Sequence, residues 1–234
     1  MISVCMATFN GAKYIEQQIV SILMQLSESD ELVISDDGSN DDTINIIKSF
    51  DDNRIKLYQN EEKHGFVGNF ENALFHARGE IIFLSDQDDI WKPNKVQVLI
   101  KVMETCDLVV HNAELIDGEG VSMRKDYFSC LHNKTGFWMN LWKTRFLGCC
   151  MVFKRNVLLD CLPFPTKIVA HDYWIGMFAL AKYRVEFISD KLISYRRHGN
   201  NVSPSSEKSN NSLFYKLFTK RFNLLWSVIN RVLY

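Results

Sequence analysis

Along the first half of the chain, short runs rich in β-branched and apolar residues alternate with longer segments whose apolar positions recur every three or four residues. That alternation predicts successive βα units and so an α/β fold, a mostly parallel central sheet flanked by helices. The predicted strands are Ile2 to Met6, Leu32 to Ser35, Ile55 to Tyr58, Ile81 to Leu84 and Leu108 to His111. Helical spacing covers Tyr14 to Met24, Thr43 to Phe50, Val67 to Ala77 and Pro93 to Met103. In the last of these, proline suits a first helical turn, because the N–H it lacks has no partner there.

After about residue 112 the pattern loosens around Gly118, Gly120, Lys125 and Asp126. Leu147 to Phe153 and Leu192 to Tyr195 are strand candidates, and Tyr173 to Ala181 has helical character. Trp138 and Trp142, at helix-like spacing, suit either a core or the stacking of a sugar ring. Ser203-Pro204-Ser205-Ser206 is a linker by composition, dividing a domain over residues 1–202 from a terminal segment over 203–234. From residue 213 onward, Leu213, Phe214, Leu217, Phe218, Phe222, Leu225 and Trp226 recur at helical spacing beside Lys216, Lys220, Arg221 and Arg231, with no acidic residue. Such a helix either lies in a membrane interface or docks on the protein's own core.

Composition narrows the partners. The 27 basic and 28 acidic residues leave a net charge of -1, without the positive field that nonspecific nucleic-acid binding needs. Cys5, Cys106, Cys130, Cys149, Cys150 and Cys161 form neither C-x-x-C pairs nor a disulfide scaffold, so buried reduced thiols are expected. The sequence opens on Ile2-Ser3-Val4-Cys5-Met6 without a signal-peptide pattern, and no apolar run of about 20 residues escapes interruption by charge. The expectation is a cytoplasmic protein, soluble or peripheral at the inner face of the plasma membrane.

In an open parallel sheet, ligands bind beyond the carboxyl ends of the strands. The residues there are Ala7-Thr8-Phe9-Asn10-Gly11, Asp36-Asp37-Gly38-Ser39 and Ser85-Asp86-Gln87-Asp88-Asp89. Crowded carboxylates are costly unless a cation or strong donors offset them. Asp36 to Asn40 also suits a turn that caps the helix near Thr43. Asp86 to Asp89 follows an apolar strand directly, and a D-x-D at such an end suits Mn²⁺ or Mg²⁺ shared with substrate phosphates. There is no G-x-x-x-x-G-K-[ST] and no G-x-G-x-x-G, so the glycine-rich phosphate cradles lose their main support.

These segments, with His171-Asp172-Tyr173-Trp174 and Tyr195-Arg196-Arg197-His198-Gly199-Asn200-Asn201, give residues 1–202 an ordered set of motifs. The set resembles the inverting family 2 glycosyltransferases of the GT-A fold, a Rossmann-like nucleotide-diphospho-sugar transferase architecture. Asp86 to Trp91 is most similar to bacterial enzymes that add rhamnose or glucose to surface polysaccharides. The resemblance implies transfer of a sugar from a UDP- or dTDP-linked donor to a saccharide hydroxyl, lipid-linked if the terminal helix meets a membrane. It implies that Ala7, Thr8 and Phe9 line the base and ribose, that Asp37 accepts from the pyrimidine, and that Asp86 meets the ribose or a metal-bound water. Asp88 and His198 become metal ligands, Asp172 the catalytic base, and Gly148 part of a small-residue loop beside the sugar. Asp36, Asp89 and His171 fall in supporting or acceptor positions; the family more often has Glu-Asp where this chain has His171-Asp172. Asp172 also suits a helix cap. Two other classes use parts of the same pattern: a nucleotidyltransferase, which would carry a basic triphosphate loop, and a noncatalytic sugar-nucleotide or glycan-binding module, which would not need Asp172.

Overall fold

The computed structural model describes residues 1–130, 135–166, 168–198 and 213–233. Strands β1 (Ile2–Thr8), β2 (Glu31–Asp36), β3 (Ile55–Gln59) and β4 (Ile81–Asp86) pair in parallel in the spatial order β3-β2-β1-β4. Between them run α1 (Ile15–Leu23), α2 (Thr43–Ser49) and α3 (Phe66–His76). Each strand extends past its sequence-predicted end, so Thr8, Asp36 and Asp86 are themselves terminal strand residues. The register sets Thr8 opposite Asp36 and Ala7 opposite Asp86, which draws three chain segments to one edge. Both β1 and β2 are buried almost throughout, as expected of strands covered by helices on both faces.

The second half is less regular in order but joins the same sheet. A two-residue strand β5 (Ile90–Trp91) precedes α4 (Lys95–Val102), and Pro93 lies just ahead of that helix, not in its first turn. Then come β6 (Leu108–Ile116), β7 (Ser122–Asp126), α5 (Phe137–Trp142), β8 (Met151–Lys154), α6 (Arg155–Cys161), α7 (His171–Lys182), β9 (Val185–Arg196) and α8 (Leu213–Leu233). Strand β8 inserts antiparallel between β4 and β6, which leaves β6 and its parallel partner β9 pointing the same way as β1 to β4. The Leu147 to Phe153 segment is a tight 3₁₀ turn over Gly148–Cys150 followed by β8, and Leu192 to Tyr195 is the end of the long β9.

Opposite the carboxyl edge, the sheet is tied by a compact polar network. Ser3 Oγ donates to Glu31 at 2.5 Å and accepts from the Gly79 N–H at 2.7 Å, while the Arg78 N–H donates to Glu31 at 2.7 Å. The backbone passes Ser3 so closely that a Cβ on Gly79 would sit 2.5 Å from Ser3 N. Cys5, Cys106, Cys149, Cys150 and Cys161 are free and buried, as the sequence suggests, and Cys130 has no described side chain.

Helix α8 docks on the body of the protein through Leu224 and Val228, and Arg231 donates to the Leu162 carbonyl at 3.2 Å and the Pro163 carbonyl at 2.5 Å. Phe222 (57% exposed) and Trp226 (58%), members of the apolar stripe that the sequence singles out, lie on the outward side. Trp138 and Trp142 are surface residues, 72% and 71% exposed, which corrects the core expectation. Trp142 carries the Arg221 guanidinium over its ring at 4.6 Å. The candidate linker at Ser203 to Ser206 lies outside the described residues. No described helix is long and apolar enough to cross a membrane.

Gly79→Ala should destabilise the fold by about 1–3 kcal/mol, because the methyl group meets backbone that cannot step aside. Urea unfolding measures this; an unchanged midpoint would show that the β1–β4 junction is looser than the 2.5 Å approach requires.

Candidate active site

The first two loops at the carboxyl edge interlock. Asn10 adopts a left-handed backbone (φ 48°), its N–H donates to Ser39 Oγ at 2.8 Å, and its side chain accepts from the Asn40 N–H at 2.9 Å. Asp36 accepts the Ser39 N–H at 2.8 and 3.1 Å, so it holds the turn. It does not cap α2, whose N-cap is Asp42 with no side-chain capping bond. Asp37 accepts from Asn60 Nδ2 at 2.8 Å and the Gly65 N–H at 2.7 Å, and its Oδ1 lies 2.9 Å from His64 Nδ1. A carboxylate has about four lone-pair directions, so one remains for a further donor. Thr8 is buried, Ala7 half-buried and Phe9 exposed at the rim.

Gln87, the middle residue of the D-x-D, ties the third loop to the first. Its Oε1 accepts the Phe9 N–H at 2.9 Å and its Nε2 donates to the Phe9 carbonyl at 3.1 Å. Nothing local in the sequence gives Gln87 this role, since its partner is 78 positions away. On either side of it, Asp86 and Asp88 stand at the same edge of the sheet. Burial, then Asp88 and Asp172, push the Asp86 carboxyl up to about 7. Asp88 Oδ2 lies 2.7 Å from His198 Nε2, so the two residues given to a metal by resemblance are brought together from β4 and the end of β9. His198 is largely enclosed and stacks on Tyr14 with ring centroids 5.1 Å apart.

Asp89 is fully buried, and its Oδ1 accepts the Arg196 N–H at 2.9 Å. Arg196 then binds the loop from beneath, through Nε to the Asp88 carbonyl at 2.8 Å, one terminal nitrogen to the Gly118 carbonyl at 3.1 Å and the other to Gln17 at 2.9 Å. The sequence reading quotes Arg196 within a motif but gives it no task, because its contacts come from segments far away in the chain. Gly199, Asn200 and Asn201 lie outside the described residues.

Asp172 sits in the first turn of α7, behind an N-cap at Ala170, so it is not the cap. Its Oδ1 accepts the Tyr173 N–H at 2.7 Å, and burial raises its carboxyl to about 6 against the stabilising Tyr173 and Gly148 N–H groups. His171 is buried and stacks on Phe70 at 3.8 Å, and neither ring nitrogen has a partner. Burial lowers it to about 3, which keeps it neutral. Gly148 is needed for this packing, because a Cβ there would lie 2.8 Å from His171 Nε2 and 3.7 Å from Asp172 Cβ.

Two donor sets are candidates for a cation. Asp88 and His198 offer a hard oxygen and an imidazole at the partly open edge, a combination that suits Mn²⁺. Asp86, Asp89 and Cys149 also place ligand atoms within 4.8 Å of one another. That second set is deeper, and burial pushes the Cys149 thiol well up, away from the thiolate that binds metals. The first set fits the ion better.

Comparison with known proteins bears on what this edge does. WfgD of Escherichia coli, a UDP-Glc:alpha-D-GlcNAc-diphosphoundecaprenol beta-1,3-glucosyltransferase, is 29% identical over 215 residues, covering 89% of this chain and 81% of its own. The dTDP-rhamnosyl transferase RfbG of Shigella flexneri is 30% identical over 215 residues, covering 84% of this chain and 72% of its own. The crystal structure of S. aureus TarS residues 1–349 with UDP-GlcNAc shares the fold, with a TM-score of 0.72 at 20% identity over 98% of this chain and 72% of that one. The sequence profile described as glycosyl transferase family 2 matches residues 3–162, more than half of the chain, and the protein belongs to that family.

Proposed function

We propose that the protein moves glucose or rhamnose from a UDP- or dTDP-linked donor to a saccharide hydroxyl, with inversion at the anomeric carbon. The observation that carries this reading is the convergence of the Asp88–His198 pair, 2.7 Å apart, and the half-buried Asp172 carboxylate at one sheet edge. The donors named for WfgD and RfbG support the sugar-nucleotide class.

Asp37 and the Ala7 to Phe9 backbone hold the nucleotide, with Gln87 fixing the Phe9 peptide against the acidic loop. Asp88 and His198 would hold Mn²⁺ or Mg²⁺, with Asp86 beside them to meet the ribose or assist in holding the ion. The ion supplies positive charge against the diphosphate, typically worth several kcal/mol in the transition state. Asp172 takes the proton from the acceptor hydroxyl as that oxygen attacks the anomeric carbon. The bond from that carbon to the diphosphate breaks with its electron pair leaving on the diphosphate, so no covalent intermediate is needed.

Three expectations test the assignments. Asp88→Ala should abolish the Mn²⁺-dependent part of UDP binding, read by calorimetry with and without the ion; equal affinity in both conditions would remove Asp88 from the metal. Asp172→Asn should leave UDP–Mn²⁺ affinity nearly unchanged and lower kcat by about 10²–10⁴-fold, the usual contribution of a positioned base. In the parent, kcat should fall as pH drops through about 6, because the half-buried Asp172 carboxyl gains a proton there. A variant within a few-fold of the parent at saturating acceptor, or a flat profile across that range, would assign the base elsewhere.

A further expectation concerns location. The acceptor in this reading is lipid-linked, as in the name of WfgD, and α8 lies against an anionic bilayer with Phe222 and Trp226 outward while Leu224 and Val228 keep it docked. Phe222→Glu with Trp226→Glu should cut sedimentation with phosphatidylglycerol vesicles by about tenfold while sparing the docking face. Equal sedimentation of parent and variant would remove Phe222 and Trp226 from any membrane contact.

A further inference from the structure

Lys95 opens α4 and is fully buried. Both facts are costly. A lysine is rarely fully buried without compensation, and a cation at a helix N-terminus opposes the helix dipole. What compensates it lies across the site, not on its own helix. Nζ donates to the Cys149 carbonyl at 2.9 Å and stands 4.2 Å from the centre of the Trp91 ring, in the favourable fields of Asp89 and Asp86.

Cys149 is the middle residue of the 3₁₀ turn Gly148–Cys150, and that turn touches both halves of the site. On one side, Cys149 Sγ lies within 4.8 Å of the Asp86 and Asp89 carboxylates. On the other, the Gly148 N–H favours the charged form of Asp172, and Gly148 packs against His171 at the start of α7. The turn is closed by the Cys150 N–H donating to the Leu147 carbonyl at 2.9 Å. The carbonyl that Lys95 grips therefore belongs to the same three-residue turn that meets the acidic edge through Cys149 and the base through Gly148.

We propose that Lys95 is a positioning residue for sugar transfer: its buried ammonium holds the Gly148–Cys150 turn in the place that aims Asp172 at the acceptor. The inference rests on the glycosyltransferase reading of the site, and it assigns Lys95 no contact with substrate. Removing the ammonium frees the turn, so the damage falls on the base and not on the nucleotide loops, which are held separately by Gln87 and Asp36.

The test is Lys95→Met, which keeps the length of the stem and removes the charge and the donor. Amide hydrogen exchange at Gly148 and Cys150 should accelerate at least about tenfold, while calorimetric UDP–Mn²⁺ affinity stays within about twofold. With the sugar nucleotide that the parent turns over, kcat should fall at least about tenfold with little change in donor KM. A merely structural lysine would loosen the whole sheet edge and weaken UDP binding with it. Unchanged exchange in the turn, or kcat within about twofold of the parent, overturns the proposal. If Lys95→Met fails to fold, Lys95→Gln, which removes the charge but keeps a polar stem, takes its place, and the same outcomes apply. A parent that releases no nucleotide diphosphate from any sugar nucleotide would sink the transferase reading, and the exchange measurement would then decide the Lys95 contact alone.

Discussion

Carboxylates gathered at the end of a parallel sheet repel one another and resist burial, and the structure of this protein is organised around meeting that cost. Asp86 and Asp89 are held above the ordinary carboxylate range by burial and by their neighbours. The compensating groups are positioned backbone N–H donors, the Arg196 clamp and the buried Lys95 ammonium. An edge compensated in this way keeps its charges in fixed places, which is what the proposed binding of a diphosphate and a cation would require.

Closure of the edge depends on β9. The strand runs from Val185 to Arg196 beside β6, and its end brings Arg196 under the acidic loop and His198 against Asp88. Tyr14 stacks on His198 and lies under the Arg196 guanidinium at 4.6 Å, so the loop after β1 is tied to the same corner. First and last parts of the sheet thus meet at one point, where rigidity is worth more than it would be in an exposed loop.

Much of the first half was legible because its signals are local. The apolar runs of β1, β2 and β4 and the acidic or small residues that end them are contiguous in the chain, so strand, turn and candidate chemistry could be taken from a few neighbouring residues. The pairing of Asp88 with His198 was legible only through resemblance to a family, since 110 positions separate the two residues and nothing in the spacing links them. Gln87, Asn60, His64 and Arg196 were given no role, because each acts on a partner from another segment.

By itself the sequence determined the α/β class, the order of the first βα units, and the set of residue types available for chemistry, because hydrophobic periodicity and turn residues act over short distances. Only the tertiary structure decided that Asp89 is a buried prop, that Asp172 lies inside the first turn of α7, and that Trp138 and Trp142 face outward. It also decided that α8 docks through Leu224 and Val228, which leaves Phe222 and Trp226 on the surface. Which side of an element is buried depends on what packs against it, and a buried charge takes its role from partners that only the fold brings near.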